Sequence, residues 1–456
     1  MPDFGVVLAR YQGRVEGSVV ALAVALVLYL PIEPVILSPL SGASYWAVRL
    51  LPDALIAVVA AAVLLVPGTR RREALAILWA LAIVSLTVVL LDAMRGFAPG
   101  TTINALRVLL RYAVLGAALL AVVREPSAVL RWLTWAIVLA ALVQFAAALI
   151  EFVALLWPMA SGAQSFSGPN LFGVDGTVGR YDRLGFLMVA AVLMAMVGAV
   201  PGRRALGRSL LVLGMLGLAM SSSRQALVGL ALAAGLLAVL PRVTVSRRVA
   251  RLAIAGLAVL CVVLLPVSSS PQRVADTDAP GTSPGQTVPV PRASEEMSLN
   301  PNRNFRLYYT LRLLPWAALE EPLLGFGPGQ HVAVSPDPRL QAKVTRDGMI
   351  WLYARTFMND SNYGSMVIQF GIFLPLLFLL FLGSLAFTLL RRLWQSADQT
   401  WLMFGLAYAV ACLAGAAFGP AFETRTVSLL LWLGLFGGLL AVRGPLAARD
   451  PLAARD

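Results

Sequence analysis

Apolar runs long enough to cross a membrane make up most of this chain. A bilayer is spanned by a helix of roughly 20 mainly apolar residues. On that measure the sequence predicts about twelve membrane helices, at 17–37, 50–66, 73–91, 104–123, 129–157, 184–200, 206–220, 225–240, 250–267, 363–390, 400–418 and 426–443. The predicted fold class is therefore an all-α polytopic membrane protein.

One long polar segment, residues 268–362, interrupts the apolar runs. Its first part is rich in Ser, Pro, Thr, Asp and Gly, which bury little apolar area. From Arg303 to Leu319 apolar residues return at helical spacing, which predicts an amphipathic helix on the membrane surface. We therefore divide the chain into transmembrane helices 1–9 (1–267), a large loop (268–362), helices 10–12 (363–443) and a tail (444–456).

Basic residues sort the connections between the runs into two groups. Lys and Arg accumulate in the cytoplasmic loops of membrane proteins, and here they occupy alternate connections, such as Arg70–Arg72 and Arg203–Arg208. Both termini are therefore expected in the cytoplasm. The large loop is expected on the outer side, where we look for an active site.

Composition supports a membrane protein and excludes other classes. The chain is 59% hydrophobic and 13% charged, with a mean hydropathy of +0.81. Its formal charge of +13 is spread in short clusters between apolar runs, so a nucleic-acid partner is not expected. Cys261 and Cys412 lie inside apolar runs and His331 is the single histidine, so neither a disulfide nor a metal site is indicated.

Arginines on the outer side are the first candidates for chemistry. Guanidinium groups present a rigid fork of donors that matches phosphate oxygens, so several converging arginines would form a diphosphate site. The alternative is that each reaches lipid head groups. Their outer placement runs against the usual charge bias, which favours function for Arg224 and Arg306. The full set is Arg180, Arg183, Arg224, Arg303, Arg306 and Arg312.

Two further features each have two interpretations. Arg107 and Arg111 lie one turn apart in the fourth run, and charge at that depth normally faces a bundle interior or a water-filled cavity. They either form an ion pair, with Asp53 or with Asp92, or they contact a substrate.

Asp360 directly precedes the tenth run. There it is either a helix cap or a general base that takes a proton from a sugar hydroxyl.

Three stretches together are similar to one protein family. Ser221-Ser222-Ser223-Arg224 opens a helix, Arg306–Gly327 joins an arginine and aromatic residues to Pro-Leu-Leu-Gly-Phe-Gly, and Asp360-Ser361 is followed after nine residues by Gly371. In these stretches and in its hydrophobic layout the chain resembles the bacterial superfamily of O-antigen polymerases and O-antigen ligases. The ligases carry a histidine where this chain has Asp360, which favours a polymerase.

The resemblance implies a GT-C-like glycosyltransferase in the bacterial inner membrane, with a periplasmic loop and no cofactor. The reaction would be an inverting, metal-independent transfer of a glycan from undecaprenyl diphosphate to a sugar hydroxyl of the next lipid-linked repeat unit. Expected partners are this lipid-linked oligosaccharide, membrane lipids and a chain-length regulator protein.

The resemblance also implies roles for individual residues. Arg224 and Arg306 would hold the diphosphate, and Asp360 would activate the acceptor hydroxyl. The expected substrate-binding residues are Arg180, Arg183, Arg303, Arg312, Asn362 and Tyr363.

Three alternatives stay open from the sequence. The first is a ligase with lipid A core as acceptor, in which His331 would replace the missing histidine. The second is a transporter or flippase for a lipid-linked sugar, although such proteins usually contain internal repeats and the sequence shows no second copy of the loop-bearing half. The third is a cell-wall glycosyltransferase of the shape-and-division type.

Overall fold

A computed structural model describes residues 4–65, 71–96, 99–160, 176–178, 181–200, 204–240, 319, 322–325, 362–394, 399–417, 419 and 421–442. Within these ranges the chain forms helices and turns and no strand. The helices are α1 (Phe4–Tyr29), α2 (Glu33–Leu37), α3 (Gly42–Leu64), α4 (Arg71–Met94), α5 (Pro99–Val122), α6 (Pro126–Ala160), a short 3₁₀ turn (Gly176–Val178), α7 (Tyr181–Met196), α8 (Arg204–Ser221), α9 (Arg224–Val239), α10 (Asn362–Phe370), α11 (Phe373–Leu393), α12 (Thr400–Ala416) and α13 (Arg425–Ala441).

The predicted fold class, an all-α polytopic membrane protein, is confirmed, because the described part of the chain contains helices and no strand, and several helices could cross a bilayer. Among the described residues, six helices are long and apolar enough to span a bilayer: Gln12–Tyr29, Gly42–Leu64, Ala74–Met94, Pro99–Val122, Pro126–Ala154 and Phe373–Leu393. Four shorter apolar helices accompany them: Ala205–Ser221, Arg224–Val239, Thr400–Ala416 and Arg425–Ala441. The expected span at 250–267 and most of the expected amphipathic helix, residues 303–318, lie outside the described residues.

The helices differ in how far the protein itself buries them. Most side chains of α12 and almost every side chain of α13 are buried. By contrast, only 17% of an apolar 18-residue stretch in each of α3 and α4 is buried, and large apolar side chains such as Trp79 and Ile83 remain exposed. We conclude that α12 and α13 form the centre of the bundle and that α3 and α4 face lipid.

Glycines bring the central helices into close contact. A Cβ atom added to Gly405 of α12 would lie 2.4 Å from the carbonyl oxygen of Gly434 in α13, and one added to Gly229 of α9 would lie 2.8 Å from that of Ala411. Small residues allow membrane helices to approach to backbone contact. The tight packing fixes the positions of the helix ends, including Arg224 at the start of α9 and Arg425 at the start of α13.

Two predicted helices are interrupted in the structure. The run at 17–37 was expected to be continuous, but α1 ends at Tyr29 and α2 is separate, because Pro31 and Pro34 remove backbone donors and constrain the residues before them. The run at 363–390 breaks at Gly371, which has φ +67°. Hydropathy alone does not distinguish these interruptions from continuous helices.

Candidate active site

The helix ends that carry the candidate residues meet at one end of the bundle. Arg425, at the start of α13, forms an ion pair with Glu33 of α2. Asn362, at the start of α10, donates from Nδ2 to Glu423 Oε1 at 3.0 Å. Arg95, near the end of α4, donates from Nη1 to the carbonyl oxygen of Leu324 at 3.0 Å. We call this the outer end, because the charge pattern of the sequence assigns it to the outer side.

The turn that precedes α9 is held by its own serines. Ser221 Oγ donates to the Leu218 carbonyl oxygen at 2.8 Å. Ser222 has φ +52°, a left-handed conformation that is uncommon outside glycine. Ser223 is the N-cap, and its Oγ accepts from the backbone N–H of Ala226 at 3.4 Å. Together these interactions fix where α9 begins.

Arg224 is the first residue of α9 and is exposed. It makes no side-chain hydrogen bond or ion pair with any residue that the structure describes. A positive charge in the first turn of a helix opposes the helix dipole. Since Arg224 does not support the fold in any visible way, it is available for an anion outside the protein.

Arg183 lies at the end of the helix next to α9. A Cβ atom added to Gly185 of α7 would come within 2.7 Å of Ser223 Cβ, so the two helices are in close contact there. Arg183 is half-buried, and its charge acts on Glu33. The structure therefore brings Arg183 and Arg224 to adjacent helix ends.

The polar atoms of Asn362 and Tyr363 are engaged within the protein. Asn362 Oδ1 accepts from the backbone N–H of Phe422 at 2.8 Å, while its Nδ2 binds Glu423. Tyr363 Oη donates to the Leu413 carbonyl oxygen at 2.7 Å. These contacts fix the start of α10 against α12 and against the turn that leads into α13. Asn362 lies two residues after Asp360 in the sequence.

Part of the large loop is packed against the break between α10 and α11. The backbone N–H of Ile372 donates to the Pro322 carbonyl oxygen at 2.8 Å. A Cβ atom at Gly371 would lie 2.5 Å from the carbonyl carbon of Leu323, so only glycine fits. Arg95 also donates to the carbonyl oxygen of Gly325. Two of the three family-like stretches therefore touch each other.

The remaining predicted site residues lie outside the described part of the chain. This applies to Arg180, Arg303, Arg306, Arg312, His331 and Asp360. Their roles stay predictions.

The partner of Arg107 and Arg111 is Asp53. Arg107 Nη1 lies 2.9 Å from Asp53 Oδ2, and Arg111 Nη1 lies 3.2 Å from Asp53 Oδ1. The other candidate, Asp92, instead accepts from Thr102 Oγ1 at 3.0 Å. Of the two pairings left open by the sequence, the structure selects the one with Asp53.

Sequence reasoning missed that Arg425 and Glu33 join this group. Arg425 Nη2 lies 3.9 Å from Asp53 Oδ2, and Arg425 also pairs with Glu33. A signal for Arg425 existed, because it opens the last span on the side that the charge pattern predicts to be outer, as Arg224 opens an earlier one. Glu33 carried no such signal, since its neighbours in sequence are apolar.

Burial raises the pKa of the Glu33 carboxyl above its usual value. The nearby charges of Arg425, Arg111, Arg49 and Arg183 oppose this shift by favouring the carboxylate. Glu33 therefore contacts Arg425 of α13 and is also affected by the charges of arginines on α5, α3 and α7.

Comparison with known protein families gives one match. Residues 209–379 match the family described as O-antigen ligase. The matched part is less than half of the chain, and it contains Arg224, the large loop and Gly371. No curated protein matches the sequence. The match confirms the resemblance to the O-antigen polymerase and ligase superfamily and supports a function of that general type.

Proposed function

We propose that this protein is a polymerase that joins oligosaccharide repeat units carried on undecaprenyl diphosphate at the outer face of the bacterial inner membrane. One observation supports the proposal most strongly. Arg224, which belongs to the part of the chain that matches the family, is exposed at the start of α9 and has no partner among the described residues. A lipid diphosphate is the kind of anion that such a group would bind.

In the proposed reaction the oxygen of a sugar hydroxyl attacks the anomeric carbon of the donor glycan. The bond from that carbon to the diphosphate oxygen breaks, and both electrons leave with the undecaprenyl diphosphate. Attack from the opposite face inverts the configuration of the anomeric carbon. Arg224 and Arg306 stabilise the negative charge that develops on the leaving group, which is the main electrostatic demand of the step.

The acceptor hydroxyl must lose its proton as the new bond forms. In this proposal Asp360 accepts that proton as general base. Asn362 and Tyr363 act by positioning, because their polar atoms hold the start of α10 and so fix where the chain leaves Asp360. Arg180, Arg183, Arg303 and Arg312 complete the substrate-binding set.

The proposed topology places both termini in the cytoplasm and residues 268–362 in the periplasm. A chain-length regulator protein is the proposed protein partner.

The test is a reaction of the purified protein with a synthetic undecaprenyl-diphosphate repeat unit, without nucleotide sugar. A ladder of glycans on a gel is expected, and it should disappear in Arg224→Ala and in Arg306→Ala. Arg131→Ala is the matched control, because Arg131 is exposed in the first turns of α6, away from the outer end. Wild-type protein that yields no ladder would contradict the polymerase.

A ligase is the second candidate, and the description of the matched family as O-antigen ligase favours it. The same reaction with lipid A core added distinguishes the two. Transfer of one glycan to the core without a ladder would establish the ligase. If neither product forms, a transporter of lipid-linked sugar becomes the better explanation.

A further inference from the structure

A group of charged side chains at the outer end contains more arginines than carboxylates. Arg49, Arg107, Arg111 and Arg425 surround Glu33 and Asp53, and we call these six residues the outer arginine cluster. Arg107 lies close enough to the other three arginines for their charges to oppose its own. All six residues lie outside residues 209–379, so the family match assigns them no role.

Several donors in the outer arginine cluster remain unused. A guanidinium group has five N–H donors, whereas a carboxylate offers only about four acceptor positions. The Nε atoms of Arg107 and Arg111 are buried and have no hydrogen-bond partner in the part of the chain that the structure covers. Buried donors without partners are costly to a protein. An additional anion with several oxygens would satisfy them.

Arg49 is the member without a carboxylate of its own. Its Nη1 donates to Tyr45 Oη at 2.6 Å, and its guanidinium lies 5.5 Å and 5.4 Å from the ring centres of Tyr45 and Trp46. No described carboxylate forms an ion pair with it. The two rings orient Arg49, and its charge acts on Glu33 without direct contact.

The outer arginine cluster opens beside a helix that faces lipid. The side chain of Arg107 is 28% exposed, and Trp46, next to Arg49, is 54% exposed. Leu50 and Leu64, on the same face of α3 as Trp46, are exposed as well. A ligand with a phosphate head and an apolar tail can therefore place the head among the arginines and the tail along α3.

We propose that the outer arginine cluster, which does not include Arg224, binds the phosphate or diphosphate head group of a membrane lipid. The excess of two positive charges fits this head group, and Asp53 and Glu33 keep the arginines ordered when the site is empty. This inference rests on the proposed function for the identity of the lipid. A polymerase needs two lipid-linked substrates, and the cluster would hold the carrier of the acceptor while Arg224 holds that of the donor.

The test measures binding of undecaprenyl phosphate to the purified protein in nanodiscs by native mass spectrometry. All measurements use the Arg224→Ala background, which weakens binding at the proposed donor site. Arg49→Gln and Arg107→Gln are each expected to weaken binding at least tenfold, whereas Arg49→Lys keeps most of it. Arg131→Gln removes the same charge away from the outer end and should change nothing.

Two probes identify what is recognised. Undecaprenol, which has the tail but no phosphate, should fail to bind the outer arginine cluster. Inorganic pyrophosphate should bind much more weakly than the lipid. Equal binding of pyrophosphate and lipid would overturn the lipid assignment in favour of a soluble anion.

The inference is also overturned by the following result: Arg49→Gln and Arg107→Gln bind undecaprenyl phosphate as tightly as the Arg224→Ala protein and have the same melting temperature as that protein. Its failure differs from failure of the proposed function. A glycan ladder together with unchanged lipid binding in these variants would refute only the second site. Binding that depends on Arg49 and Arg107, without a ladder or transfer to lipid A core, would refute only the polymerase and ligase.

Discussion

Arg224 occupies a position where an arginine does not benefit its helix. Its charge lies at the positive end of the dipole of α9, while the adjacent Ser223 provides the cap. We predict that Arg224→Gln leaves the free energy of unfolding unchanged or raises it by up to about 1 kcal/mol. Glycan transfer should fall by roughly 100-fold to 1,000-fold, the typical loss when one donor to a developing oxyanion is removed.

Thermal unfolding in detergent and the ladder reaction measure the two effects. Ser223→Ala is the matched control, because it should lose about 1 kcal/mol of stability with the cap and keep most of the activity. If Arg224→Gln is destabilised as much as Ser223→Ala, Arg224 is part of the fold and its assignment to the substrate is wrong.

Gly371 is required both by its backbone conformation and by its neighbours. A residue with a side chain at φ +67° is strained, by roughly 1–2 kcal/mol, and its Cβ would also collide with the backbone of Leu323. We predict that Gly371→Ala lowers the melting temperature and detaches Pro322–Gly325 from α11. Gly383→Ala in α11 is the control, since a Cβ there meets nothing within 4 Å and alanine favours a helix by about 1 kcal/mol.

The readout for Gly371→Ala is the melting temperature together with proteolysis of the large loop. Faster cleavage of the loop than in Gly383→Ala would show that Gly371 anchors it. An unchanged melting temperature and unchanged cleavage would mean that the contact between Gly371 and Leu323 contributes little.

At the scale of helices, Asp53 connects three elements that hydropathy treats as independent. Its carboxylate, on α3, contacts Arg107 and Arg111 of α5 and approaches Arg425 of α13. Removing one partner of a buried ion pair typically costs about 3–5 kcal/mol. We predict that Asp53→Asn is destabilised by an amount in this range, because the arginines then repel one another with only Glu33 to balance them.

Thermal unfolding of single and double variants tests the prediction for Asp53. The double variant of Asp53→Asn and Arg107→Gln should be more stable than the sum of the single effects predicts, since the second change removes an uncompensated charge. Glu125→Gln, at an exposed position before α6, is the control and should have no effect. Additive effects in the double variant would argue against a coupled cluster.

At the scale of the whole molecule, the sequence predicted the helices better than their connections. Hydropathy identifies spans because each helix must satisfy its own backbone within lipid. The end of α1 at Tyr29 and the break at Gly371 depend on prolines and on a distant loop segment, so the apolar pattern does not reveal them. The pair of Glu33 and Arg425 joins residues 392 positions apart, and local spacing carries no information about such a contact.

The candidate site was predictable in type but not in arrangement. Outer arginines that oppose the usual charge bias drew attention to Arg224 and Arg183, which the structure places on adjacent helix ends. The same argument was available for Arg49 and Arg425, but only the fold places them around Asp53 and Glu33. A sequence can thus indicate that arginines bind phosphate, but it does not show whether those arginines form one group or two.

The orientation of the bundle in the membrane decides whether either arginine group can meet a periplasmic substrate. Ser44, near the start of α3, is exposed at the outer end, and Ser127, near the start of α6, is exposed away from it. We predict that a cysteine at Ser44 reacts with a membrane-impermeant maleimide in intact spheroplasts. A cysteine at Ser127 should react only after the membrane is opened, because the positive-inside rule places the start of α6 in the cytoplasm.

The labelling is made in a Cys261→Ala background, and Cys412 can remain because it is fully buried. The reverse pattern would turn Arg224 and the outer arginine cluster toward the cytoplasm, where a periplasmic polymerase has no use for them. Labelling of both cysteines from outside would mean that α3 and α6 do not begin on opposite sides. To join two repeat units, the enzyme must bind the head groups of both lipid-linked substrates at the periplasmic face. Only labelling of the cysteine at Ser44 from outside and of that at Ser127 from inside is consistent with this requirement.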